Sequence, residues 1–449
     1  MTLAADVVQI NGGDTAWVLV SAALVMLMTP GLALFYGGMT RAKSVLNMMM
    51  MSVACLGIVS VLWVIFGFSE AFGNGTSAFI GSWDFSGLGS AVGKITQNGA
   101  AYPIPLLAFA MFQLMFAVIT PALISGAVAD RMRFAGWVVF VAIWCVVVYF
   151  PVAHWVFDFG GEDSTGAGWL AKLGVLDFAG GTAVHINAGA AGLALAIVLG
   201  RRAGWPKQPM KPHSLPLVLL GASLLWFGWF GFNAGSALGA NDLAALAFTN
   251  TMVATAGAVV GWLVVDRIKE GRATSLGAAS GAVAGLVAIT PGCAFVAPWA
   301  AVIIGLLAGV VCAFAVSLKF RVGIDDSLDV VGVHLVGGLV GTLAIGLLAT
   351  KAVNSAGRDG LLYGGGWELL RLQATGAFTV LAYSFVVTFV IGWVLNKVMK
   401  LRIDPEAEID GIDLDQHLET AFEFGGASGA LGRRLERTPV RVGIDGDGD

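Results

Sequence analysis

Charged side chains are scarce in this chain: Asp, Glu, Lys and Arg make up only 12% of its 449 residues. Ordinary soluble domains carry about 25%, so the composition argues against a soluble protein. The net charge of −4 gives no sign of a nucleic-acid partner. The chain has instead 57% hydrophobic residues and 62 glycines. These values predict a helical protein that crosses the membrane many times and packs its helices through small residues.

Cysteine is rare as well. The four cysteines lie in apolar runs without the spacing of a metal site, so we interpret them as small packing residues. They are Cys55, Cys145, Cys293 and Cys312. We therefore predict no metal and no other cofactor.

The apolar residues form eleven segments, and a helix needs about 20 residues to cross a hydrocarbon core of about 30 Å. The predicted spans are 16–38, 45–72, 104–127, 134–156, 178–200, 214–236, 243–265, 275–291, 296–317, 330–350 and 373–397. Several contain Gly or Pro, which packed membrane helices tolerate. The predicted fold class is an all-α polytopic membrane protein with eleven transmembrane helices.

The distribution of Lys and Arg predicts the orientation of these spans. With the N-terminus outside, the inner loops contain Arg41, Lys43, Arg131, Arg133, Arg201, Arg202, Lys207, Lys211, Arg267, Lys269, Arg272, Lys319 and Arg321. The outer loops contain only Lys94, Lys172, Lys351, Arg358 and Arg371. Basic residues favour the cytoplasmic side. We predict a multi-pass protein of the plasma (inner) membrane, with the N-terminus outside and the C-terminus in the cytoplasm.

The odd number of spans suggests two repeats of five helices and one extra helix. Spans one and six end alike, in FYGG at 35–38 and FGFNAG at 230–235, and spans five and ten each carry Asp before His. Because these spans run in opposite directions, the repeats are predicted to be inverted, as in many transporters. The predicted divisions are a transporter domain at 1–400, repeats at about 16–200 and 214–350, an extra helix at 373–397, and a cytoplasmic tail at 401–449 that is disordered from about 425.

Two histidines lie inside apolar spans, each after an acid: His185 after Asp177 and His334 after Asp329. Eight helical residues place His185 about 12 Å inside its span. An ionisable group at that depth marks a transport path or a relay by default. His334 lies about 7 Å inside its acid, so the pair meets only if the repeats dip towards each other or vestibules thin the barrier. Buried structural histidines are the simpler alternative, but the related positions of the pair favour a relay.

The two acids allow different interpretations. Asp177 fits a helix cap and a fixed negative charge near a pore mouth equally well. Asp329 we interpret as a helix cap.

Five motifs, in this order, resemble the Amt/Mep/Rh ammonium transporter family, and the Amt branch best. They are FYGG at 35–38, FQLMFAVIT at 112–120, DFAGGTAVHIN at 177–187, WFGFNAGS at 229–236 and DVVGVH at 329–334. The resemblance covers about residues 16–424. It implies a homotrimeric ammonium transporter, not an enzyme, with one narrow and mostly hydrophobic pore in each subunit, lined by His185 and His334.

The resemblance also implies a substrate site at the outer mouth. Two aromatic residues gate the pore in the family, and they match Phe116 and Phe232. The family's recruitment site is an aromatic cage with a serine, which matches Phe116, Phe157 and Ser236. The third cage residue is usually Trp, and a phenyl ring is a weaker cation host than indole; Trp155 and Trp169 are alternatives that would compensate. The predicted substrate-binding residues are Phe116, Phe157, Ser236, Asp177 and Trp229.

Physical chemistry supports this division of roles. Moving an ammonium ion out of water costs on the order of tens of kcal/mol in a low-dielectric medium. An aromatic face returns about 2 kcal/mol, and a hydroxyl adds a hydrogen bond, which suffices for recruitment but not for passage of the ion. Deprotonation removes most of the barrier, and neutral imidazoles then bind ammonia or pass its proton. Potassium has no proton to lose, so we expect the pore to exclude it.

The resemblance extends to residues 401–422, where the family's cytoplasmic C-terminus couples subunits and docks PII-type regulatory proteins. A solvated acidic tail is the simpler alternative. We expect ammonium or ammonia, and methylammonium as an analogue, as substrates. A second hypothesis is an ammonium sensor that signals through its tail, which the absence of a recognisable signalling domain disfavours. A third, an intramembrane metalloenzyme using both histidines, is disfavoured because zinc catalysis generally needs three protein ligands.

Overall fold

The computed structural model describes residues 9–96, 101–160, 166–208 and 210–422. The disorder predicted from about 425 lies outside these residues. Within the described ranges, ten helices are long and apolar enough to cross a membrane, and a shorter apolar helix accompanies them. In chain order they are α1 Gly12–Met39, α2 Val45–Phe72, α3 Leu106–Val128, α4 Phe134–Phe157, α5 Gly181–Leu199, α6 Leu215–Gly235, α7 Asp242–Lys269, α8 Ser275–Ile289, α9 Pro298–Val322, α10 Val331–Leu348 and α11 Glu368–Met399.

The shorter helix is α8, the eighth predicted span. Its 15 residues extend about 22 Å, less than the hydrocarbon thickness. It is buried on every side from Ala279 to Ile289 and packs against its neighbours in the chain, α7 and α9. The all-helical polytopic fold is therefore confirmed. The division into inverted repeats, the domain bounds and the orientation stay predictions, so we call the two sides the vestibule side and the tail side.

Small residues set the distances between helices. A Cβ atom added to Gly221 of α6 would lie 2.3 Å from the amide nitrogen of Phe35 in α1. One added to Gly305 of α9 would lie 2.0 Å from the carbonyl oxygen of Ala254 in α7. Real Cβ atoms do not approach so closely, so only glycine permits these crossings. All four cysteines are buried in the same apolar interior, as expected for packing residues.

One such crossing brings the two histidine-bearing helices together. Gly189 of α5 lies against Leu335 of α10, where an added Cβ would lie 2.5 Å from the Leu335 amide nitrogen. Each helix carries its histidine in a π-helical turn, Gly181–Ile186 in α5 and Val331–Leu335 in α10. Such turns are frequent at functional sites. The close crossing therefore places His185 and His334 in the same layer.

The acid that caps α10 is Asp326 and not Asp329, so the capping role predicted for Asp329 is wrong. Asp326 accepts hydrogen bonds from the Val330 and Val331 amides at 3.1 and 2.8 Å. Asp329 has a left-handed backbone, with φ of 64°, and pairs with Lys319 at 2.6 Å. The cap thus lies eight residues before its histidine, the same separation as between Asp177 and His185. The depth mismatch expected from Asp329 disappears.

The chain after α11 folds back over the helix ends of the tail side. It forms two short helices, α12 Pro405–Asp410 and α13 Ile412–His417. The Asp413 carboxylate accepts from the Leu46 and Asn47 amides at 3.0 and 2.8 Å, which caps α2. Gln416 accepts from the first amide of α4 at 2.9 Å. This segment is therefore packed against the helix ends and is not a wholly solvated tail.

Candidate functional site

A vestibule of about 560 Å³ opens between the loops opposite the tail. Its wall includes four of the residues predicted to bind substrate: Phe116, Phe157, Asp177 and Ser236. Phe116 and Phe157 approach edge to face, with ring centroids 6.4 Å apart. The Ser236 hydroxyl donates to the Phe232 carbonyl oxygen at 2.8 Å, which leaves its oxygen lone pairs able to accept. Two aromatic rings and a hydroxyl acceptor therefore share the vestibule wall.

A pair of rings closes the bottom of the vestibule. Phe116 and Phe232 have centroids 4.2 Å apart and an angle of 33° between their planes. Both side chains are fully buried. Phe116 lines the vestibule, whereas Phe232 lines the small cavity beneath it. A molecule passing between the two spaces must displace this pair.

The cavity beneath the rings has a volume of about 10 Å³, close to the space that one water molecule needs. Among the described residues that line it, the ionisable ones are His185 and His334. The remaining lining residues are Met28, Leu32, Ile119, Leu123, Leu225, Trp229, Phe232 and Val283. The cavity therefore fits one small neutral molecule between apolar walls and two imidazoles.

The two imidazoles are nearly parallel, and their Nδ1 atoms lie 3.4 Å apart. The Tyr36 hydroxyl lies 3.1 Å from the Leu123 carbonyl oxygen and 3.5 Å from His334 Nε2. Because a carbonyl only accepts, Tyr36 donates to Leu123 and accepts from His334 Nε2–H. The His334 Nδ1 atom then accepts from His185 Nδ1–H. The remaining nitrogen, His185 Nε2, is buried, has no hydrogen-bond partner among the described residues and carries a free lone pair.

Trp229, also predicted to bind substrate, lies beyond the ring pair on the cavity side. Its indole stacks on His185, with centroids 5.3 Å apart. The indole N–H donates to the Thr290 hydroxyl at 2.8 Å. That hydroxyl has two acceptors within reach, the Leu286 carbonyl oxygen at 2.8 Å and the Asn233 side-chain oxygen at 3.2 Å. This chain of hydrogen bonds fixes the indole plane and, through stacking, that of His185.

Asp177 is bound tightly at the start of α5. Its two oxygens accept four amide N–H groups, from Gly180, Gly181, Thr182 and Ala183, at 2.7, 2.7, 2.7 and 3.2 Å. Burial raises the pKa of Asp177 above its ordinary value, although the four donors stabilise the carboxylate. Asp177 therefore caps the helix, and the amides already satisfy much of its charge.

Comparison with known proteins agrees with this geometry. The sequence profile of the Ammonium Transporter Family matches residues 16–422. The chain belongs to this family. It is 55% identical to an ammonium transporter of Mycobacterium tuberculosis (strain H37Rv) over 454 aligned positions, which cover 97% of this chain and 94% of the relative. Ammonium transport is thus the activity that its relatives support.

Solved structures share the fold. The crystal structure of Candida albicans Mep2 superposes with a TM-score of 0.81 at 34% identity, covering 89% of this chain and 88% of that one. A protein described as a sensor Amt protein has a TM-score of 0.81 at 30% identity, covering 90% and 98%. The same helical scaffold therefore occurs in this transporter family and in a sensor.

Sequence reasoning did not find three contributors to the site. In the sequence Tyr36 is only one residue of the FYGG motif, although its hydroxyl orders the tautomers of the pair. Asp326 precedes a second acid, and only the backbone shows which of the two caps α10. Thr290 carries no sequence signal, because its role depends on Trp229, 61 positions away.

Proposed function

We propose that this transporter recruits NH4+ in the vestibule, removes its proton near the Phe116–Phe232 ring pair, and conducts ammonia past His185 and His334, with or without the proton following separately. The observation that carries this proposal is the change of surroundings across the ring pair. Above it lie aromatic faces and a hydroxyl; below it lies an apolar cavity the size of one water molecule. A cation suits the first space and a neutral molecule suits the second.

Recruitment uses the groups on the vestibule wall. Phe116 and Phe157 present aromatic faces to the cation, and Ser236 accepts one of its N–H bonds. Each desolvated cation–π contact contributes about 2 kcal/mol. Asp177 adds negative potential at the vestibule wall, moderated by its four amide donors.

Passage uses the unpaired nitrogen of the histidine pair. Ammonia below the ring pair donates N–H to the free lone pair of His185 Nε2. The ordered chain from His185 through His334 to Tyr36 keeps that nitrogen unprotonated. A bare potassium ion finds no charge to replace its hydration and is excluded.

Membership of the family also supports a proposal for the assembly and location of the chain. We propose a homotrimer in the plasma (inner) membrane, with the vestibule outside and the tail in the cytoplasm. The tail contacts support regulation at this face: Arg41 donates to the Glu408 carbonyl oxygen at 3.0 Å, and Lys43 donates to that of Ile409. A PII-type protein that docks there would act on the α1–α2 loop through these contacts.

Growth rescue tests the transport function. We expect expression of this chain to restore growth of an uptake-deficient microbe on low ammonium at acidic pH, where passive ammonia entry is small. A His185→Asn/His334→Asn variant with equal membrane insertion serves as the control and should rescue more weakly. Failure of the inserted wild-type chain to rescue growth would contradict transport.

The sensor function is the second candidate, supported by the structural match to a sensor Amt protein. A sensor binds ammonium without sustained flux. Binding to purified protein together with an absence of methylammonium uptake into proteoliposomes would favour it over transport.

A further inference from the structure

His154 lies near the vestibule end of α4 and has no role in the transport steps above. Its side chain is fully buried. Nδ1 lies 2.9 Å from the Ala71 carbonyl oxygen and 3.2 Å from Asp158 Oδ2. Nε2 lies 3.1 Å from the Ser77 carbonyl oxygen. Both ring nitrogens therefore face oxygen atoms that only accept hydrogen bonds.

This arrangement decides the charge of the ring. A neutral imidazole has one N–H donor and one bare nitrogen. In either neutral tautomer, a lone pair of His154 would face a carbonyl oxygen at about 3 Å in a fully buried site, and that carbonyl group would lose its hydrogen bond. Only the imidazolium satisfies both carbonyl groups. The Asp158 carboxylate supplies a counter-charge at contact distance.

The segment that His154 contacts is the start of the α2–α3 loop. Three successive carbonyl groups of this loop accept hydrogen bonds. Ser77 accepts from His154 and Phe79 from the Trp155 indole, both in α4, and Ala78 accepts from the Trp169 amide beyond α4. The loop is thereby fixed to the end of α4. His154 supplies the charged hydrogen bond of the three.

The same end of α4 carries the vestibule wall. Phe157 lies one turn after His154, and Asp158 follows it; both line the vestibule. Asp158 Oδ1 also accepts from the Gly160 amide at 2.8 Å, and its backbone oxygen accepts from Gly168 at 2.8 Å. The ion pair therefore fixes the turn that holds the Phe157 ring of the recruitment site.

We propose that His154 is a buried imidazolium at neutral pH and the positioning residue of the recruitment site, because it fixes the turn that bears Phe157 and neutralises Asp158. The proposal rests on the recruitment function assigned to the vestibule. Compensation by His154 and by the α5 amides leaves neither Asp158 nor Asp177, the two acids among the described residues of the vestibule wall, as a bare anion. Selection of the cation then falls mainly to the aromatic faces and Ser236, and Asp177 adds only the negative potential that its amide donors leave.

The charged neighbours of His154 come from each element packed against it. Asp158 lies on its own helix. Glu70, beside Ala71 on α2, lies within electrostatic range, and its Oε2 atom is buried without a hydrogen-bond partner among the described residues. The short helix Trp169–Leu173 carries Lys172, which is exposed. The charge in contact with the ring is the Asp158 carboxylate, and the one base nearby in the chain is solvated, so the local charge favours the imidazolium.

The charge state is tested directly by NMR of protein labelled with 15N and 13C in its histidines, in lipid nanodiscs, with the His154 signals assigned from a His154→Gln variant. We expect two protonated ring nitrogens at neutral pH. We expect Asp158→Asn to make the ring lose its proton at a lower pH than in the wild type. A neutral tautomer in the wild type at neutral pH would overturn the proposal.

The positioning role is tested by methylammonium uptake, with half-saturation expressed as the concentration of protonated amine. His154→Gln should raise half-saturation about tenfold, the effect of losing one hydrogen bond to a charged group, and keep the maximal rate. His213, a tail-side histidine, has one carbonyl contact. His213→Gln should change neither the half-saturation nor the maximal rate. His154→Gln/Asp158→Asn should recover part of the loss, because it removes the uncompensated carboxylate.

The outcomes separate this inference from the transport function. The inference is supported if the half-saturation concentration of the wild type rises at alkaline pH and that of His154→Gln does not. Unchanged half-saturation in inserted His154→Gln, or strictly additive effects in the double variant, would overturn it while transport stands. If His154→Gln does not insert, the NMR titration of Asp158→Asn decides whether the ring is an imidazolium. The His154 signals are then assigned as those that the Asp158→Asn substitution shifts. A wild type that takes up no methylammonium contradicts the transport function, while the NMR result still reports the charge.

Discussion

His185 Nδ1 and His334 Nδ1 lie 3.4 Å apart, although 149 positions separate the residues in the chain. Two helices bring them together, each beginning at a capping acid eight residues earlier and crossing the other at Gly189. The pair forms one ordered hydrogen-bonded unit with Tyr36 and leaves one imidazole nitrogen free towards the cavity.

The crossing is tested by Gly189→Ala. The added Cβ would lie 2.5 Å from the Leu335 amide nitrogen, so α5 and α10 must separate or strain. Overpacking of this kind costs about 1–3 kcal/mol, and we expect a lower unfolding temperature in detergent together with reduced methylammonium uptake. Gly57→Ala, in α2 with open space around the position, is the control and should leave both unchanged. Equal effects of the two substitutions would contradict the crossing.

The order of tautomers is tested by Tyr36→Phe. Removing the hydroxyl deprives His334 Nε2–H of its acceptor, so the pair adopts a mixture of tautomers. The loss of a hydrogen bond worth about 1 kcal/mol corresponds to about a fivefold lower transport rate. Folding should persist, since the phenyl ring remains. A rate equal to that of wild type, in protein inserted to the same level, would show that Tyr36 does not order the pair.

The recruitment cage is tested by Phe157→Trp. Indole is a better cation host than a phenyl ring. The ring centroids of Phe157 and Phe116 lie 6.4 Å apart at the vestibule wall. We expect tighter ammonium or methylammonium binding, by no more than about 1 kcal/mol, or about fivefold. Phe378→Trp, at an exposed position of α11, is the matched control. Unchanged or weaker binding in Phe157→Trp would assign the third wall to Trp155 or Trp169 instead.

The tail side contains a buried ion pair whose pH dependence has a definite sign. Burial alone would raise the pKa of Asp325, but the Arg202 guanidinium, which donates at 2.8 and 2.9 Å, holds it below its ordinary value. A lowered folded-state pKa gives stability above the unfolded value of about 3.9, and that stability is lost as the pH falls through the folded value. Asp325→Asn should therefore cost about 3 kcal/mol at neutral pH.

The measurement is the unfolding temperature in detergent from neutral pH to about pH 3. The gap between wild type and Asp325→Asn should narrow as the pH falls below about 4. The surface pair Arg133–Asp404, with Asp404 78% exposed, is the comparison: Asp404→Asn should cost less than about 1 kcal/mol. A gap that stays constant with pH would contradict the ionised Asp325.

The spans could be predicted from the sequence because membrane helices are long apolar runs. Phe116, Phe232 and both histidines could be predicted as site residues because they lie in long motifs. Asp326 could not be chosen over Asp329, since the left-handed backbone at Asp329 delays the helix start. A residue count from Asp329 instead of Asp326 therefore places His334 at the wrong depth. The contacts of His154 cannot be predicted from the sequence for another reason. Its partners at Ala71 and Ser77 are backbone carbonyl groups, which carry no sequence signal.

The central claim is that ammonium passes the His185–His334 pair as ammonia and not as a bare cation. Substituting His185 by Asp places a fixed negative charge in the apolar cavity, which stabilises a desolvated cation. Substituting it by Ala removes the free Nε2 lone pair without adding charge. The two variants therefore separate a relay from a structural histidine, which predicts the same outcome for both.

The measurement is potassium and methylammonium flux into proteoliposomes that contain wild type, His185→Ala or His185→Asp at equal protein density. We predict that the wild type carries methylammonium and excludes potassium, that His185→Ala carries less methylammonium and still excludes potassium, and that His185→Asp admits potassium. Wild-type flux and selectivity in both inserted variants would contradict the account.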